Sequence, residues 1–416
     1  MGPKLGERLA NLLALNRTVA VVLASVLLFG LGEQLWSDFM PELLRVRSWG
    51  GQRTSGDLPL DILLLVGTYT FLRNLFEAFC YIGGGTVTAR LGDRGSLLLF
   101  GVLTILGYSL FLLGTATWMA VLAALLILGW EPLSVPVTFT TVGSTVSERG
   151  RGMAFALQSI QKRLPKIIGP FVGGLLLGWA RQTWGEDAGQ VRGMSILVGT
   201  ALALGMLSLA VQLRFMPHRP APPPGPPAIA IVRSFHPILR GLWLAEVCTR
   251  WCDWLVRDFV VLYLLLVENV PIAEVGALIA LQHFTALLTY LPIGQLTRSR
   301  GLRPFIGLTF IFFALFPLAL AIAPGGYWLI PVFIIYGLRE IGEPARKALI
   351  TSLIPGEVRA RGVGLYWGLR FFATCWSALV GAVIWHLWGP QVLLLTAFAM
   401  GCIGAAVYYF LCPSDA

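Results

Sequence analysis

The sequence predicts an all-α polytopic membrane protein made of two pseudo-symmetric six-helix bundles, twelve transmembrane helices in all. Three observations lead to that fold class. The first is composition: of 416 residues, 56% are hydrophobic and only 12% charged, and mean hydropathy is +0.76, more apolar surface than a soluble domain can bury. The second is spacing, because apolar runs of about 20 residues, the length that crosses a bilayer core, recur along the whole chain. The third is repetition, because motifs of the first half return in the same order in the second.

Taken in order, the runs place spans at 17–43, 61–88, 96–116, 118–146, 152–180 and 193–214. A second series follows at 238–267, 273–297, 303–323, 327–353, 360–386 and 388–411. Between them, RFMPHRPAPPPGPPAIAIVRSFHP has a proline density that favours an extended, solvated spacer. The domain reading is therefore a first half over 1–213, a linker over 214–237 and a second half over 238–416. The N-terminal MGPKLGERLANLLALNR lacks the apolar core of a signal peptide, which leaves the first span as the expected insertion signal. The Asn16-Arg17-Thr18 sequon falls on the side expected to be cytoplasmic and carries no meaning there.

The net charge of +10 could suggest nucleic acid, but Lys and Arg outside the spans collect in alternate loops: TARLGDRG, SERGRG, the linker, RSRGLR and EVRARG. That alternation is the positive-inside pattern, so no nucleic-acid partner is expected, and both termini and the linker are expected in the cytoplasm. Arg45, Arg47 and Arg53 lie on the other side as an exception. The six cysteines fall within or at the ends of apolar segments, with no disulfide-like spacing. Cys248 and Cys252 with Asp253 and His283 have the side-chain types of a soft-metal set, but the cysteines lie off the charged face and read as small apolar filler, so no metal and no cofactor is expected. P-loop, HExxH and GxSxG motifs are absent from the sequence, and the expectation is no enzyme.

The repeat is specific. GWEPLSVP leads through a basic loop to RGMAFALQSIQKR, and IGEPARKA leads through another to RGVGLYWGLRFF. Glu131-Pro132 thus corresponds to Glu343-Pro344, and Arg151-Gly152 to Arg361-Gly362. YIGGGTVTARLGDRG after the second span has a weaker counterpart in YLPIGQLTRSRGLR after the eighth. Two homologous six-helix halves are the plan of a parallel-repeat transporter.

On these residues the chain resembles the major facilitator superfamily over its whole length, in its bacterial permease branch. The family's loop after the second helix reads approximately G-x-x-x-D-R-x-G-R-R, and Gly85, Arg90, Gly92 and Arg94 match it. Ala89 stands where the family has Asp, and Asp93 where it has a basic residue. The resemblance implies a gating loop formed by Gly85, Arg90, Gly92, Asp93 and Arg94. It also implies a monomer in the bacterial inner membrane that works by alternating access, with the third, sixth, ninth and twelfth helices outermost.

Charges inside the spans mark the candidate passage. The seventh span carries Glu246, Arg250, Asp253 and Arg257 at spacings of four, seven and eleven, one narrow arc of a helix. A charge at bilayer depth costs roughly 2.5–3.5 kcal/mol on insertion scales, so such a stripe must face protein or water. Other interior charges are Glu33, Asp38, Arg73, Glu77, Glu131, Lys162, Arg163, Lys166, Arg339, Glu340, Glu343, Arg346, Lys347 and Arg370. Arg73 with Glu77 and Arg339 with Glu343 are four apart and are expected to pair within their helices.

The candidate substrate and proton cavity is therefore Glu33, Asp38, Arg73, Glu77, Glu131, Arg163, Glu246, Arg250, Asp253, Arg339, Glu343 and Arg370. Glu33, Asp38, Glu131 and Asp253 are the expected proton carriers, because exchange of Arg partners between conformations changes a buried carboxylate's proton affinity. His283 beside Gln282 reads as a hydrogen-bonded packing residue, and Trp36, Trp130, Trp243, Trp251, Trp254 and Trp367 as cavity or interface residues. The expected function is secondary active transport of a small polar or charged organic solute, proton-coupled rather than sodium-coupled, with export favoured by analogy. The expected partners are that solute, protons and membrane lipids. The competing readings are uptake of an anionic metabolite held by Arg73, Arg163, Arg250 and Arg370, and a lipid flippase or scramblase using the same cavity.

Overall fold

A computed structural model of the chain describes residues 17–49, 58–134, 148–217, 226–355 and 358–412. Asn16 of the sequon, Arg53, the end of the fourth predicted span and the core of the linker lie outside the described residues. Every regular element among those described is helical: α1 (Arg17–Gln34), α2 (Met40–Trp49), α3 (Leu60–Leu113), α4 (Thr117–Leu128), α5 (Glu148–Trp184), α6 (Glu186–Phe215) and α7 (Ala228–Arg233). After the linker come α8 (Pro237–Leu262), α9 (Ile272–Arg300), α10 (Arg303–Ile322), α11 (Leu329–Leu338), α12 (Glu343–Ser352), α13 (Arg359–Thr374) and α14 (Ser377–Leu411). Eight described helices are long and apolar enough to cross a membrane. α5 and α8 are long enough but are not among them, and both carry charges in their interiors.

Helix ends follow local chemistry. α3 joins the second and third predicted spans through Gly92, whose φ of 70° breaks the helix at a value only glycine adopts without strain. α14 does the same at Gly389, φ 82°, so the predicted 360–386 and 388–411 spans divide as α13 plus the two arms of α14. α8 starts with Pro237 in its first turn and with the His236 ring accepting a hydrogen bond from the Ile238 amide.

Two interruptions fall inside predicted spans. The first span stops at Gln34 and passes through a 3-10 turn at Ser37–Phe39 before α2. Pro41 explains it: the ring lacks an N–H and collides with the carbonyl four residues back. The tenth span likewise breaks between α11 and α12, where Pro344 opens α12 and the Gly342 amide donates to Thr309 Oγ1 at 2.7 Å.

Tight helix contacts cluster along two seams between residues before and after the linker. At Gly174 of α5 an added Cβ would lie 3.0 Å from Gly276 Cα of α9, and at Gly67 of α3 it would lie 3.0 Å from the Ala378 carbonyl of α14. Gly364 and Gly368 of α13 approach the Tyr81 and Ala78 carbonyls of α3 equally closely, at 2.9 and 3.0 Å. Backbones this near need small residues, the way helices associate in lipid, where lipid tails remove the hydrophobic drive to cluster. The largest apolar core, with Leu35, Phe39, Leu43 and Val66 against Val256, Phe259, Ile272 and Trp385, spans both parts of the chain.

Candidate functional site: a base-lined cavity

The interruption at Arg339–Gly342 turns Arg339 and Glu340 inward, and α5, α8, α9, α12 and α13 bring their polar faces to the same space. Together they line an open cavity of about 210 Å³. Nine basic side chains line it against three carboxylates, Glu131, Glu340 and Glu343. Lys162, Arg163 and Lys166 come from α5, Arg250 and Arg257 from α8, Arg346 and Lys347 from α12, and Arg370 from α13, with Arg339 from the break. His283 and Tyr290 of α9 and Tyr81, Trp367 and Phe371 complete the wall.

The interior charges of the sequence are more even, with Glu33, Asp38, Glu77, Glu246 and Asp253 added to the acids and Arg73 to the bases. The imbalance comes from side-chain direction, because several carboxylates stand behind the lining. Glu246 has no exposed surface; Arg370 Nη1 donates to its Oε2 at 2.6 Å and Arg346 Nη1 lies 3.2 Å from the same oxygen. Asp253 pairs with Arg339 across to the α11–α12 break and stands 3.5 Å from Arg250. Arg163 Nη2 donates to Glu340 Oε2 at 2.7 Å, joining α5 to the second part of the chain, and Arg163 Nη1 stands 3.4 Å from His283 Nδ1. Lys162 Nζ donates to Glu131 Oε1 at 3.2 Å.

Of the twelve candidates, Glu131, Arg163, Arg250, Arg339, Glu343 and Arg370 line the cavity, whereas Glu33, Asp38, Arg73, Glu77, Glu246 and Asp253 do not. One expected pairing changes: Arg339 leaves Glu343 for Asp253, and Glu343 instead takes Arg346 and Lys347. The helix break makes the difference, because the i,i+4 geometry needs an uninterrupted helix between the two residues. Arg73 does meet Glu77, at 3.8 Å. In the α3 loop Arg94 Nη2 donates to the Leu213 carbonyl at 2.9 Å, Asp93 is buried, Arg90 is exposed, and Gly85 faces the Arg361 side chain. Trp36 and Trp130 are core residues, the latter 4.6 Å from Phe29, and among the described tryptophans only Trp367 reaches the cavity. Cys252 donates to the Phe313 carbonyl, and no metal-binding cluster occurs among the described residues.

Asp258 escaped the sequence reading. It accepts from Thr70 Oγ1 at 2.5 Å and from Arg73 Nη1 at 3.5 Å, so it ties α8 to α3 across 185 residues of sequence. Its place directly after Arg257 hid it: one step along a helix turns a side chain by 100°, and Asp258 points away from the charged arc. The Asp258→Asn variant should unfold more readily in detergent, and the reversal Arg73→Asp/Asp258→Arg should recover part of the loss. Equal unfolding of the single variant and the unaltered protein would show that the pair does not hold α8 to α3.

A second cavity of about 360 Å³ lies where α2, α5 and the start of α6 meet the connection from α8 to α9. Glu42 there accepts from Arg45 at 2.8 Å and from Arg181 at 2.9 Å. It sits beyond the Gly174–Gly276 contact, which closes α5 against α9 on that side of the central cavity.

No protein-family model and no curated protein sequence matches the chain. Solved structures do. The human organic anion transporter MFSD10 (TETRAN) superposes with a TM-score of 0.69 at 15% identity, covering 94% of this chain and 99% of that one. The nucleoside transporter NupG gives 0.70 at 12% identity over 95% and 99%. A bacterial homologue of the iron transporter ferroportin, in an inward-facing state, gives 0.67 at 15% identity over 95% and 98%. At such identities the likeness establishes the fold: the chain has the major facilitator fold, as the loop motif and the repeat led the sequence reading to expect.

Proposed function

We propose that the protein moves a small organic anion across a membrane by alternating access of two six-helix halves, 1–213 and 238–416, joined by the linker 214–237. The observation that carries this reading is the lining of the central cavity, nine bases to three carboxylates. Lys166 and Arg257 line it without a hydrogen bond or ion pair among the described residues. They come from α5 and α8, one on each side of the linker. Two like charges resist approach of the halves, and an anion between them removes that resistance, so the loaded cavity closes more readily than the empty one. The fold shared with an organic anion transporter fits this reading.

Proton coupling is part of the proposal. Glu131, Asp253 and Glu343 hold cationic partners, whereas Glu33 and Asp38 have none among the described residues, and Asp38 Oδ2 is buried without a hydrogen bond. Asp38 and Glu33 are therefore the proton carriers, and Asp38→Asn should abolish pH-driven accumulation while leaving exchange of one anion for another intact.

The test is direct binding to the purified full-length protein. Lys166→Gln and Arg257→Gln should each weaken binding of a carboxylate probe by about tenfold, since a hydrogen bond to a charged group contributes roughly 1.5–3 kcal/mol. Binding of organic cations, with carboxylates inert, would overturn the assignment.

A further inference from the structure

Building on the anion reading, we propose that the cavity selects a monocyclic aromatic anion, with its ring against Tyr81, Trp367 and Phe371 and its acidic group against Lys166 and Arg257. Three observations converge on that class.

The first is the wall. Tyr81 of α3 faces the Trp367 ring edge-on at 5.7 Å and the Phe371 ring at 5.2 Å, and all three line the cavity. Behind them Trp254 packs edge-on against Phe371 at 4.7 Å, which holds the Phe371 ring in place. A fixed aromatic wall beside a cluster of arginines gains most from a partner that is flat and charged. The ring offers offset or edge contacts worth more than its buried area alone.

The second is size. A cavity of roughly 150 Å³ takes a benzene molecule; about 210 Å³ therefore holds one six-membered ring with a substituent or two.

The third is unused hydrogen-bonding capacity. Lys166 and Arg257 line the cavity without a hydrogen bond or ion pair among the described residues, while the lining carboxylates are engaged in ion pairs, so an incoming carboxylate, sulfonate or phosphate oxygen has both cations to accept from.

The experiment is calorimetric titration of the purified full-length protein with benzoate, cyclohexanecarboxylate and benzylammonium, repeated on Trp367→Leu and Lys166→Gln. Benzoate and cyclohexanecarboxylate share charge and nearly share size, so their ratio isolates the ring. Benzoate should bind about three- to tenfold more tightly than cyclohexanecarboxylate, the range set by an aromatic contact. Trp367→Leu should bring that ratio near one while retaining cyclohexanecarboxylate binding, which also shows that the variant is folded. Lys166→Gln should weaken both carboxylates and leave the ratio unchanged. Equal binding of the two carboxylates to the unaltered protein, or an unaltered ratio in Trp367→Leu, overturns the aromatic assignment and leaves the anion reading standing. Benzylammonium binding in place of both carboxylates, or no binding of either, overturns the two together.

Discussion

The Glu246→Ala variant is expected to lose about 3–5 kcal/mol of stability, the cost of leaving buried charge without its partner. The residue has no exposed surface and holds two arginines, Arg346 of α12 and Arg370 of α13, both themselves nearly buried. Removing the carboxylate leaves Arg370 without its ion-pair partner and Arg346 with Glu343 alone, and loosens the tie between α8, α12 and α13. Unfolding in detergent, followed by tryptophan fluorescence, measures the loss. The double variant Glu246→Ala/Arg370→Met should recover a good part of it, because a methionine of similar length leaves one fewer charge stranded. If the single variant unfolds like the unaltered protein, Glu246 does not hold α8 to α12 and α13.

The second large effect is expected from Gly276→Val. An added Cβ at Gly276 would meet the Pro170 carbonyl and would come within 3.0 Å of Gly174 Cα, so α5 and α9 must separate. Neither opposing group is the movable end of a side chain, and a helix backbone yields only by shifting the whole helix. If closure of this seam is one half of the transport cycle, uptake of radiolabelled benzoate into proteoliposomes should fall at least tenfold. Binding should survive, since the cavity lies further along both helices at Arg163 and His283. Unchanged transport would show that the seam need not close.

Much of the fold was legible because it follows from local chemistry. A run of apolar residues long enough to cross a bilayer must satisfy its backbone polar groups internally, and a helix does so whatever surrounds it. The glycines at 92 and 389 and the prolines at 41 and 344 act within a few residues, so turns and breaks can be read from neighbours in sequence, although the breaks at Ser37–Phe39 and Arg339–Gly342 fall inside stretches whose hydropathy alone reads as continuous. The charges of α5 and α8 announced a polar passage for the same reason: hydrocarbon does not tolerate them, so they must face one another, protein or water.

Partnership was less legible, because it depends on direction and on distant chain. Arg339 and Glu343 have the spacing of a helical pair, yet the helix between them is broken and each finds other partners. Asp258 lies beside the charged stripe in sequence and faces the other way in space, toward Thr70 and Arg73. Glu246 and Asp253 share the α8 arc with Arg250 and Arg257, yet the packing of α12 and α13 covers the carboxylates and leaves the two bases in the lining. From the sequence alone came an all-helical membrane chain, its repeat and the set of charges that had to be sheltered. Only the tertiary structure decided which of them line the cavity and which are spent holding its walls, since helix rotation and the meeting of residues more than a hundred positions apart are set by packing over the whole chain.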